Sequence, residues 1–305
     1  MTYKELTCQT LRFGGFDKKE EKPHYTVLGV PYDFTSTYRP GSRFGPEAIR
    51  QASVNLEAYC PRASFDVETL EIEDIGDLNV VTDAGETTER TRRVVKEIID
   101  EGKFPIVLGG EHTVTYGSSR AFEDVAIVSF DAHLDLRDEY LGNKLSHAAT
   151  MRRLSETFGP DKILVVGPRA FCAEELAFAK ENNVRFITPW DISRTGFKAS
   201  INRLKNWVSR AKLLYITVDM DVLDPSYAPG VGNPVPEGLS PTQLLDILHE
   251  ICGQTLAGFD VVEVSPAYDS GITALQASNI IYNIVAFKET STKGGSHDRR
   301  LGSAR

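Results

Sequence analysis

Cysteine is scarce in this sequence, and its spacing excludes the usual cysteine-based scaffolds. The four cysteines among 305 residues are scattered and form no CxxC pair. This spacing fits neither a disulfide framework nor a structural zinc site, and it is typical of a protein from a reducing compartment. We therefore expect structural thiols and a cytoplasmic location.

Long apolar runs and an excess of positive charge are also absent. Residues 1–22 are polar and contain no apolar signal core, and no uninterrupted apolar run reaches membrane-spanning length. The formal net charge of −9 argues against nonspecific binding to nucleic acid or anionic membranes, because both require basic patches. We expect no nucleic-acid or membrane partner, and the acidic balance mildly favours a small cationic substrate.

What the chain does contain is an alternation of apolar strand-like runs and helical segments. With 41% apolar and 25% charged residues, it can bury a large core. The alternation predicts right-handed βαβ crossovers, hence an α/β fold with a parallel sheet covered on both faces. Residues 1–290 are assigned to one domain, and the polar tail 291–305 is predicted to be disordered. Strands are predicted near 25–31, 72–80, 104–108, 125–128, 163–166, 184–187, 213–218 and 258–262, and helices near 46–56, 86–99, 113 onward, 147–158, 173–181, 198–210, 241–252 and 273–288. A Gly/Pro/Ser-rich loop at 34–46 either lines a site or merely connects two elements.

The most informative stretch follows the apolar run at residues 125–128. Three potential metal ligands, Asp131, His133 and Asp135, come directly after it. If the backbone stays extended, residues two apart share a face, so the three side chains can converge on one point. The alternative is an ordinary solvated exit from a strand, where Asp and His are common.

Two other predicted strands end in the same way. His112 follows Gly109-Gly110, while Asp219 and Asp221 follow the run 213–218. A glycine pair before a histidine can be a simple turn, and a lone DxD often binds nothing. Six candidate ligands at the carboxyl edge of one parallel sheet, where α/β proteins bind their ligands, instead indicate a shared metal site.

The composition of the ligand set indicates which metals would bind. Four carboxylates and two imidazoles, without a thiolate, favour Mn²⁺ or a similar divalent ion over structural zinc. Two divalent ions would neutralise the four aspartates, whereas one would leave surplus buried negative charge. A two-metal centre with ions roughly 3.5–4 Å apart can hold a bridging hydroxide as nucleophile. The set therefore suggests hydrolysis of a poorly electrophilic carbon.

Several motifs, in order along the chain, resemble the arginase/agmatinase (ureohydrolase) family. They are GGEH at 109–112, DAHLD at 131–135 and DMDVLDP at 219–225, with further similarity at 228–234 and 260–269. The resemblance spans roughly residues 25–288. Segments 39–46 and 267–274 are similar to the agmatinase branch, and 136–144 resembles archaeal members. The departures are Glu111, where bacterial agmatinases usually have Asp, and Ala148-Ala149 after His147 in place of Gly-Thr.

The resemblance implies a binuclear manganese site with two Mn²⁺ per subunit. It implies an arginase-like three-layer α/β/α fold with a central, mostly parallel sheet of about eight strands, and a homo-oligomer, a trimer or hexamer. Family members hydrolyse a guanidino group to urea and an amine. Agmatine, giving putrescine in polyamine biosynthesis, is the predicted substrate, with aminopropylagmatine, arginine and guanidinobutyrate as alternatives. One ion would be bound by His112, Asp131, Asp135 and Asp219, and the other by Asp131, His133, Asp219 and Asp221, with Asp131 and Asp219 bridging.

The remaining roles follow the same resemblance. Asp135 is expected to orient the hydroxide while it holds one metal. Glu263, at a predicted strand end, is expected to bind the planar guanidinium by a two-pronged contact, unless it is an ordinary strand-end acid. His147 is expected to bind substrate and shuttle protons, including to the leaving amine, unless it is a plain loop histidine. Asp138 and Glu139 could bind the extra amine of aminopropylagmatine, or they are simply surface acids.

Two rival functions are consistent with the same predicted fold. Deacetylases that share it cleave acyl-lysine amides at a single zinc, and they would need fewer carboxylate ligands than the six-residue set provides. A catalytically silent scaffold is the other alternative. The presence of His147 and Glu263 beside intact ligands argues against it.

Overall fold

One large sheet with helices on both faces forms the centre of the molecule. The computed structural model describes residues 2–8, 10–15 and 24–293. Nine strands form the main sheet, in the order β1–β5–β2–β6–β11–β10–β7–β8–β9, and β3 pairs with β4 in a small hairpin. The strands are β1 (Thr7–Cys8), β2 (Tyr25–Val30), β3 (Tyr59–Cys60), β4 (Phe65–Asp66), β5 (Ile72–Leu78), β6 (Phe104–Gly109), β7 (Ala126–Phe130), β8 (Ile163–Val166), β9 (Arg185–Ile187), β10 (Leu214–Asp219) and β11 (Leu256–Val262).

Ten α-helices connect or flank these strands in the described residues. Helices α3, α7 and α9 each follow a residue whose side chain accepts a hydrogen bond from an amide of the first turn. The Asp83 carboxylate accepts a hydrogen bond from the Glu86 amide at the start of α3. At the start of α9, the Ser240 side chain accepts one from the Gln243 amide, and Pro241 is the first helical residue. The helices are α1 (Tyr3–Leu6), α2 (Gly45–Ser53), α3 (Ala84–Asp100), α4 (Thr113–Ser119), α5 (Thr150–Phe158), α6 (Ala173–Glu181), α7 (Pro189–Thr195), α8 (Phe197–Val208), α9 (Pro241–Ile251) and α10 (Ile272–Lys293).

The eight strands from β5 to β9 across the sheet are all parallel. Only β1 runs antiparallel, as a two-residue edge strand beside β5. The prediction of a mostly parallel sheet of about eight strands is therefore confirmed. Strand β1 was not predicted from the sequence, because a two-residue edge strand in a polar segment has no apolar pattern.

The two faces of the sheet bury separate apolar cores. Successive residues of a strand point to opposite faces, so Ile106 and Leu108 lie in one core and Val107 lies in the other. Helices α2 and α7–α10 contribute to the first core, and α1 and α3–α6 contribute to the second. The three-layer α/β/α architecture is thus confirmed.

The C-terminal boundary differs from the prediction. Helix α10 continues to Lys293, so the predicted end of the domain at residue 290 lies inside a helix. The last turn is polar, and it can continue the helix because its backbone hydrogen bonds need no apolar burial. Residues 294–305 of the predicted disordered tail lie outside the described residues. Within the described part of the chain, no helix is both long enough and apolar enough to cross a membrane.

Candidate metal centre

The predicted ligands follow strands that are neighbours in the middle of the sheet. His112 lies three residues after β6, Asp131 follows β7 directly, Asp219 ends β10, and Glu263 follows β11 directly. These four strands are adjacent in the order β6–β11–β10–β7 and run parallel. Their carboxyl ends therefore meet at one edge, which is where parallel α/β sheets bind ligands.

The first group of ligand atoms surrounds the ring of His112. Its Nδ1 atom lies 3.0 Å from Asp131 Oδ2, 2.9 Å from Asp135 Oδ2 and 3.5 Å from Asp219 Oδ2. All four side chains are buried. This group contains the four residues expected to bind one of the two metals.

The second group surrounds His133. Its Nδ1 atom lies 3.0 Å from Asp221 Oδ2 and 3.4 Å from Asp131 Oδ1. Asp131 has one oxygen in each group, which is the arrangement that a bridging ligand requires. The other predicted bridge, Asp219, lies within the first group, while its Oδ1 accepts a 2.9 Å hydrogen bond from the Asp221 amide.

The donor atoms of the first group fit a bound cation. The Nε2 atom of His112 lies 3.1 Å from the hydroxyl of Thr217, and donation to this hydroxyl leaves the Nδ1 lone pair facing the carboxylates. Although His112 Nδ1 and Asp131 Oδ2 are only 3.0 Å apart, neither of these buried atoms has a hydrogen-bond partner. Two facing lone pairs in a buried site are costly unless a positive ion lies between them.

The electrostatics of the carboxylates lead to the same conclusion. Burial raises the pKa of Asp219 well above its usual range, and repulsion from Asp221 and Asp131 adds to the rise. Burial also raises the pKa of Asp135 to about 7, again with a contribution from the charge of Asp131. Divalent cations would remove this repulsion and keep the carboxylates ionised.

Backbone groups hold the second group of ligands in place. The Ala132 amide donates to Asp221 Oδ1 at 2.9 Å, and the His133 amide donates to Asp131 Oδ1 at 2.6 Å. Arg169 donates to the Asp221 and Val235 carbonyl oxygens, both at 2.7 Å, and so clamps the turn that carries Asp221. Sequence reasoning missed Arg169, because an arginine in a loop carries no motif.

Two residues of the centre have an unusual backbone conformation. Asp135 and Glu263 lie in the left-handed region, with φ of 50° and 64°. The condition of an extended backbone, under which the three side chains were expected to converge, therefore does not hold at Asp135. Its carboxylate reaches His112 because the chain bends back there, a strained conformation of the kind that clusters at functional sites.

The glycine pair before His112 serves close packing rather than a tight turn. A Cβ atom on Gly110 would lie 2.0 Å from the Tyr32 carbonyl oxygen, and one on Gly109 would lie 2.5 Å from a methyl of Val262. The missing side chains let the end of β6 approach its neighbours, and this approach brings His112 to the metal site.

His147 lies beside the metal ligands and is held by the loop that follows β2. Its amide donates to Thr35 Oγ1 at 3.0 Å, and its Nδ1 and Nε2 atoms lie 3.3 Å from Thr35 Oγ1 and 3.4 Å from Thr37 Oγ1. Burial lowers the pKa of His147 to about 4, and repulsion from His133 contributes. The ring is therefore neutral at neutral pH. The open question about loop 34–46 is answered, since this loop lines the site.

A cavity of about 180 Å³ opens above the ligand cluster. Seven of the eight predicted site residues line it, and the eighth, Asp131, is fully buried beside the two histidine ligands. Four polar neighbours in the lining were not predicted as site residues from the sequence: Thr37, Arg137, Tyr140 and Asn233. The lining consists of Thr37, His112, His133, Asp135, Arg137, Tyr140, His147, Ala148, Asp219, Asp221, Asn233 and Glu263.

Asp138 and Glu139 do not line this cavity. The carboxylate of Asp138 accepts a 2.8 Å hydrogen bond from Arg153, and Glu139 is exposed. The structure gives no support to the suggestion that they bind an amine of the substrate, and both fit the alternative of surface acids.

Comparison with known proteins identifies the family. The family model described as Arginase family matches residues 23–286. The chain belongs to the arginase family. A Bacillus subtilis (strain 168) protein named agmatinase is 38% identical over 269 residues, covering 86% of this chain and 90% of the relative. A Thermococcus kodakarensis protein named N(1)-aminopropylagmatine ureohydrolase is 36% identical over 280 residues, covering 90% of this chain and 94% of the relative.

A solved structure agrees with these matches. The agmatine ureohydrolase of Thermoplasma volcanium superposes with a TM-score of 0.84 at 37% identity, covering 89% of this chain and 92% of the other. This arginase-family chain is therefore an enzyme, a ureohydrolase similar to agmatinases. The two rivals, a single-zinc deacetylase and a silent scaffold, are set aside.

Proposed function

We propose that this arginase-family enzyme hydrolyses agmatine to urea and putrescine at a binuclear manganese centre. The observation that carries the proposal is the convergence of all six predicted ligands beneath one cavity that also contains Glu263 and His147. The relatives named agmatinase and agmatine ureohydrolase support agmatine as substrate. A ligand set of carboxylates and imidazoles without thiolates supports Mn²⁺.

The metal ligands have separate tasks in this proposal. His112 and Asp135 would hold one ion, His133 and Asp221 the other, and Asp131 and Asp219 would contact both. When bound, two divalent ions supply an activated water as nucleophile and offset the negative charge of the aspartates. The left-handed backbone at Asp135 directs its carboxylate toward His112, in the group of residues that would hold the first ion.

Glu263 is suited to bind the guanidinium. Its Oε1 accepts a 2.9 Å hydrogen bond from the His112 amide, which fixes the carboxylate at the floor of the cavity. A Cβ atom on Gly232 would lie 3.5 Å from Glu263 Oε2, so the glycine leaves that side of the oxygen uncovered. The two-pronged contact stays a prediction, because Oε1 keeps a second lone pair that can accept from the guanidinium. A charge-assisted hydrogen bond from the substrate to Oε2 would orient the reacting carbon.

His147 is suited to accept a proton. Its ring is neutral at neutral pH, and its Nε2 atom is held beside the hydroxyl of Thr37 at the wall of the cavity. In the proposed reaction Nε2 takes up a proton and later returns one to the leaving amine, the ordinary task of a histidine in general acid–base catalysis.

A second candidate substrate class is favoured by Arg137, which lines the same cavity. Its guanidinium lies 4.9 Å from the centre of the Tyr140 ring, and its Nε is 3.9 Å from Glu175 Oε2. Glu175 already accepts hydrogen bonds from the backbone amides of Leu136 and Cys172. Arg137 could therefore pair with a carboxylate at the far end of a substrate such as guanidinobutyrate or arginine.

Urea release from four compounds distinguishes these candidates. The Mn²⁺-loaded enzyme is compared by kcat/KM on agmatine, aminopropylagmatine, arginine and guanidinobutyrate. Preference for agmatine supports the proposal, preference for another compound moves the assignment to it, and no urea from any of them contradicts the proposed reaction.

The variant Arg137→Gln sharpens the comparison. It lowers kcat/KM for guanidinobutyrate if Arg137 binds the carboxylate, whereas agmatine hydrolysis is expected to be maintained or improved. Arg120→Gln is the matched control, because Arg120 also lies over a tyrosine ring, that of Tyr116 at 4.7 Å, but does not line the cavity.

The trimeric or hexameric assembly and the cytoplasmic location stay predictions. Light scattering tests the assembly.

A further inference from the structure

The catalytic roles proposed above leave Glu111 without a task, although its carboxylate is fully buried beside the site. It accepts a 2.8 Å hydrogen bond from the Thr35 amide and a 2.6 Å hydrogen bond from the Thr113 hydroxyl. The hydroxyls of Thr35 and Ser36 also donate to it, the first by a short bond. Every neighbour in this set is an amide or a hydroxyl that can donate, so the ionised carboxylate accepts a hydrogen bond from each of them.

Thr35 connects this carboxylate to His147. Its O–H group donates to Glu111, while its oxygen accepts a 3.0 Å hydrogen bond from the His147 amide and lies 3.3 Å from His147 Nδ1. A hydroxyl has one hydrogen and two lone pairs. Because the hydrogen is directed to Glu111, the contact with Nδ1 requires Nδ1 to be the donor.

We propose that Glu111 and Thr35 are positioning residues that fix the tautomer of His147 with its proton on Nδ1. The order of donation runs from His147 Nδ1–H to the Thr35 oxygen and from the Thr35 hydroxyl to Glu111. The Nε2 atom then keeps its lone pair toward the cavity. The carboxylate never touches the substrate and acts only through the threonine.

This tautomer matches the proposed class of substrate. A guanidinium has N–H donors only, so it is complementary to a bare Nε2 and would be opposed by an Nε2–H. The hydroxyl of Thr37, 3.4 Å from Nε2, donates to the same lone pair through a long contact that a substrate can replace. The inference thus rests on the proposed function and deepens it.

The ¹⁵N NMR spectrum of histidine-labelled protein, loaded with diamagnetic Zn²⁺, tests the tautomer directly. The His147 signals are assigned by their loss in His147→Asn. We expect a protonated Nδ1 and an unprotonated Nε2 in the unmodified protein. A proton on Nε2 would overturn the proposal. The spectrum needs no substrate, so it remains decisive even if no guanidino compound yields urea.

Variants at Thr35 test the consequence for catalysis. Thr35→Val keeps the shape but removes the hydroxyl, so we expect a mixed tautomer, retained metal and a kcat lowered about 10- to 100-fold, the usual cost of losing such a supporting partner. Thr35→Ser should recover the Nδ1–H signal and most of the lost kcat. Thr157→Val, which removes a hydroxyl from the exposed side of α5, is the control.

The outcomes of the variant series are decisive in both directions. A fall in kcat with little change in KM, reversed by serine, supports the relay from Glu111 through Thr35. An unchanged His147 tautomer in Thr35→Val would contradict it, whatever happens to the rate. If Thr35→Val does not fold, Glu111→Gln replaces it, because the amide is isosteric and can offer an N–H where the carboxylate only accepted.

Discussion

The two walls of the cavity are built in different ways. On one wall, the ends of β6, β11, β10 and β7 carry the metal ligands and Glu263, and each of these strands is hydrogen-bonded to a neighbour on both sides. On the other wall, His147 is held by hydroxyl groups of the loop that contains Thr35 and Thr37. The first wall depends on sheet geometry and the second on a few side-chain hydrogen bonds.

This difference separates two requirements of the reaction. Metal ligands must converge within a fraction of an ångström, and the interior of a sheet is the most rigid part of the fold. A residue that moves protons must instead have the correct orientation and tautomer, which one hydroxyl can impose. Damage to the sheet wall should therefore remove the metal, whereas damage to the loop wall should leave the metal and slow the reaction.

The largest effect is expected from Asp131→Ala on the sheet wall. Asp131 has an oxygen in each ligand group, so its loss should abolish binding of both ions and all urea release. Asp219→Ala is expected to behave similarly. Metal content by mass spectrometry is measured beside urea release, with Asp124→Ala on the exposed surface as control. Two ions per subunit in Asp131→Ala would contradict the assignment.

His147→Ala on the loop wall is expected to come next. Turnover should fall about 10²- to 10⁴-fold, the usual scale for a proton-transfer residue, while the metal content stays at the level of the unmodified enzyme. His249→Ala, an exposed histidine of α9, is the matched control. Equal turnover in His147→Ala would remove this residue from the mechanism.

The third effect in order of size is a loss of stability. Removal of the metal ions should lower the free energy of unfolding of the unmodified enzyme. Ions that bind only the native state add about 2.7 kcal/mol when their free concentration is one hundred times Kd. Thermal unfolding with and without a chelator should show this loss in the unmodified enzyme and almost none in Asp131→Ala. The same shift in both proteins would mean that the chelator acts elsewhere.

The smallest effect is expected from Asp138→Asn. Its ion pair with Arg153 is partly exposed and screened by solvent, so the free energy of unfolding should change very little. The ratio of kcat/KM for aminopropylagmatine and agmatine should not change. A fall limited to the longer compound would restore the idea that Asp138 binds its extra amine.

The comparison of the two walls also explains which features the sequence could predict. Apolar runs ending in Asp or His, together with the rule that parallel strands present their carboxyl ends at one edge, were sufficient to place Asp131 and Asp219 together. The contact between Thr35 and His147 joins residues 112 positions apart through a loop and a turn, and neither has a periodic pattern. Arg169 was missed for the same reason.

The backbone conformation at Asp135 could not be predicted from the sequence for a related reason. Alternation along an extended chain placed its side chain on the correct side, but the structure reaches that position by a left-handed bend. A sequence pattern predicts the relaxed local conformation of the backbone. A strained residue departs from that conformation because its tertiary contacts hold it there. Local rules therefore singled out Asp135 but did not predict its left-handed backbone.

The central place of the four ligand-bearing strands has a consequence for hydrogen exchange. Amide hydrogens of interior strands exchange with solvent only when a large part of the sheet opens, whereas loop amides exchange through small local openings. Asp131 directly follows β7 and Asp219 ends β10, and these two interior strands pair with each other. If metal loss requires these two carboxylates to separate, the interior of the sheet must open, which is the slowest opening of the protein. The bound ions should then exchange with solution as slowly as the amide hydrogens of β7 and β10 exchange with solvent.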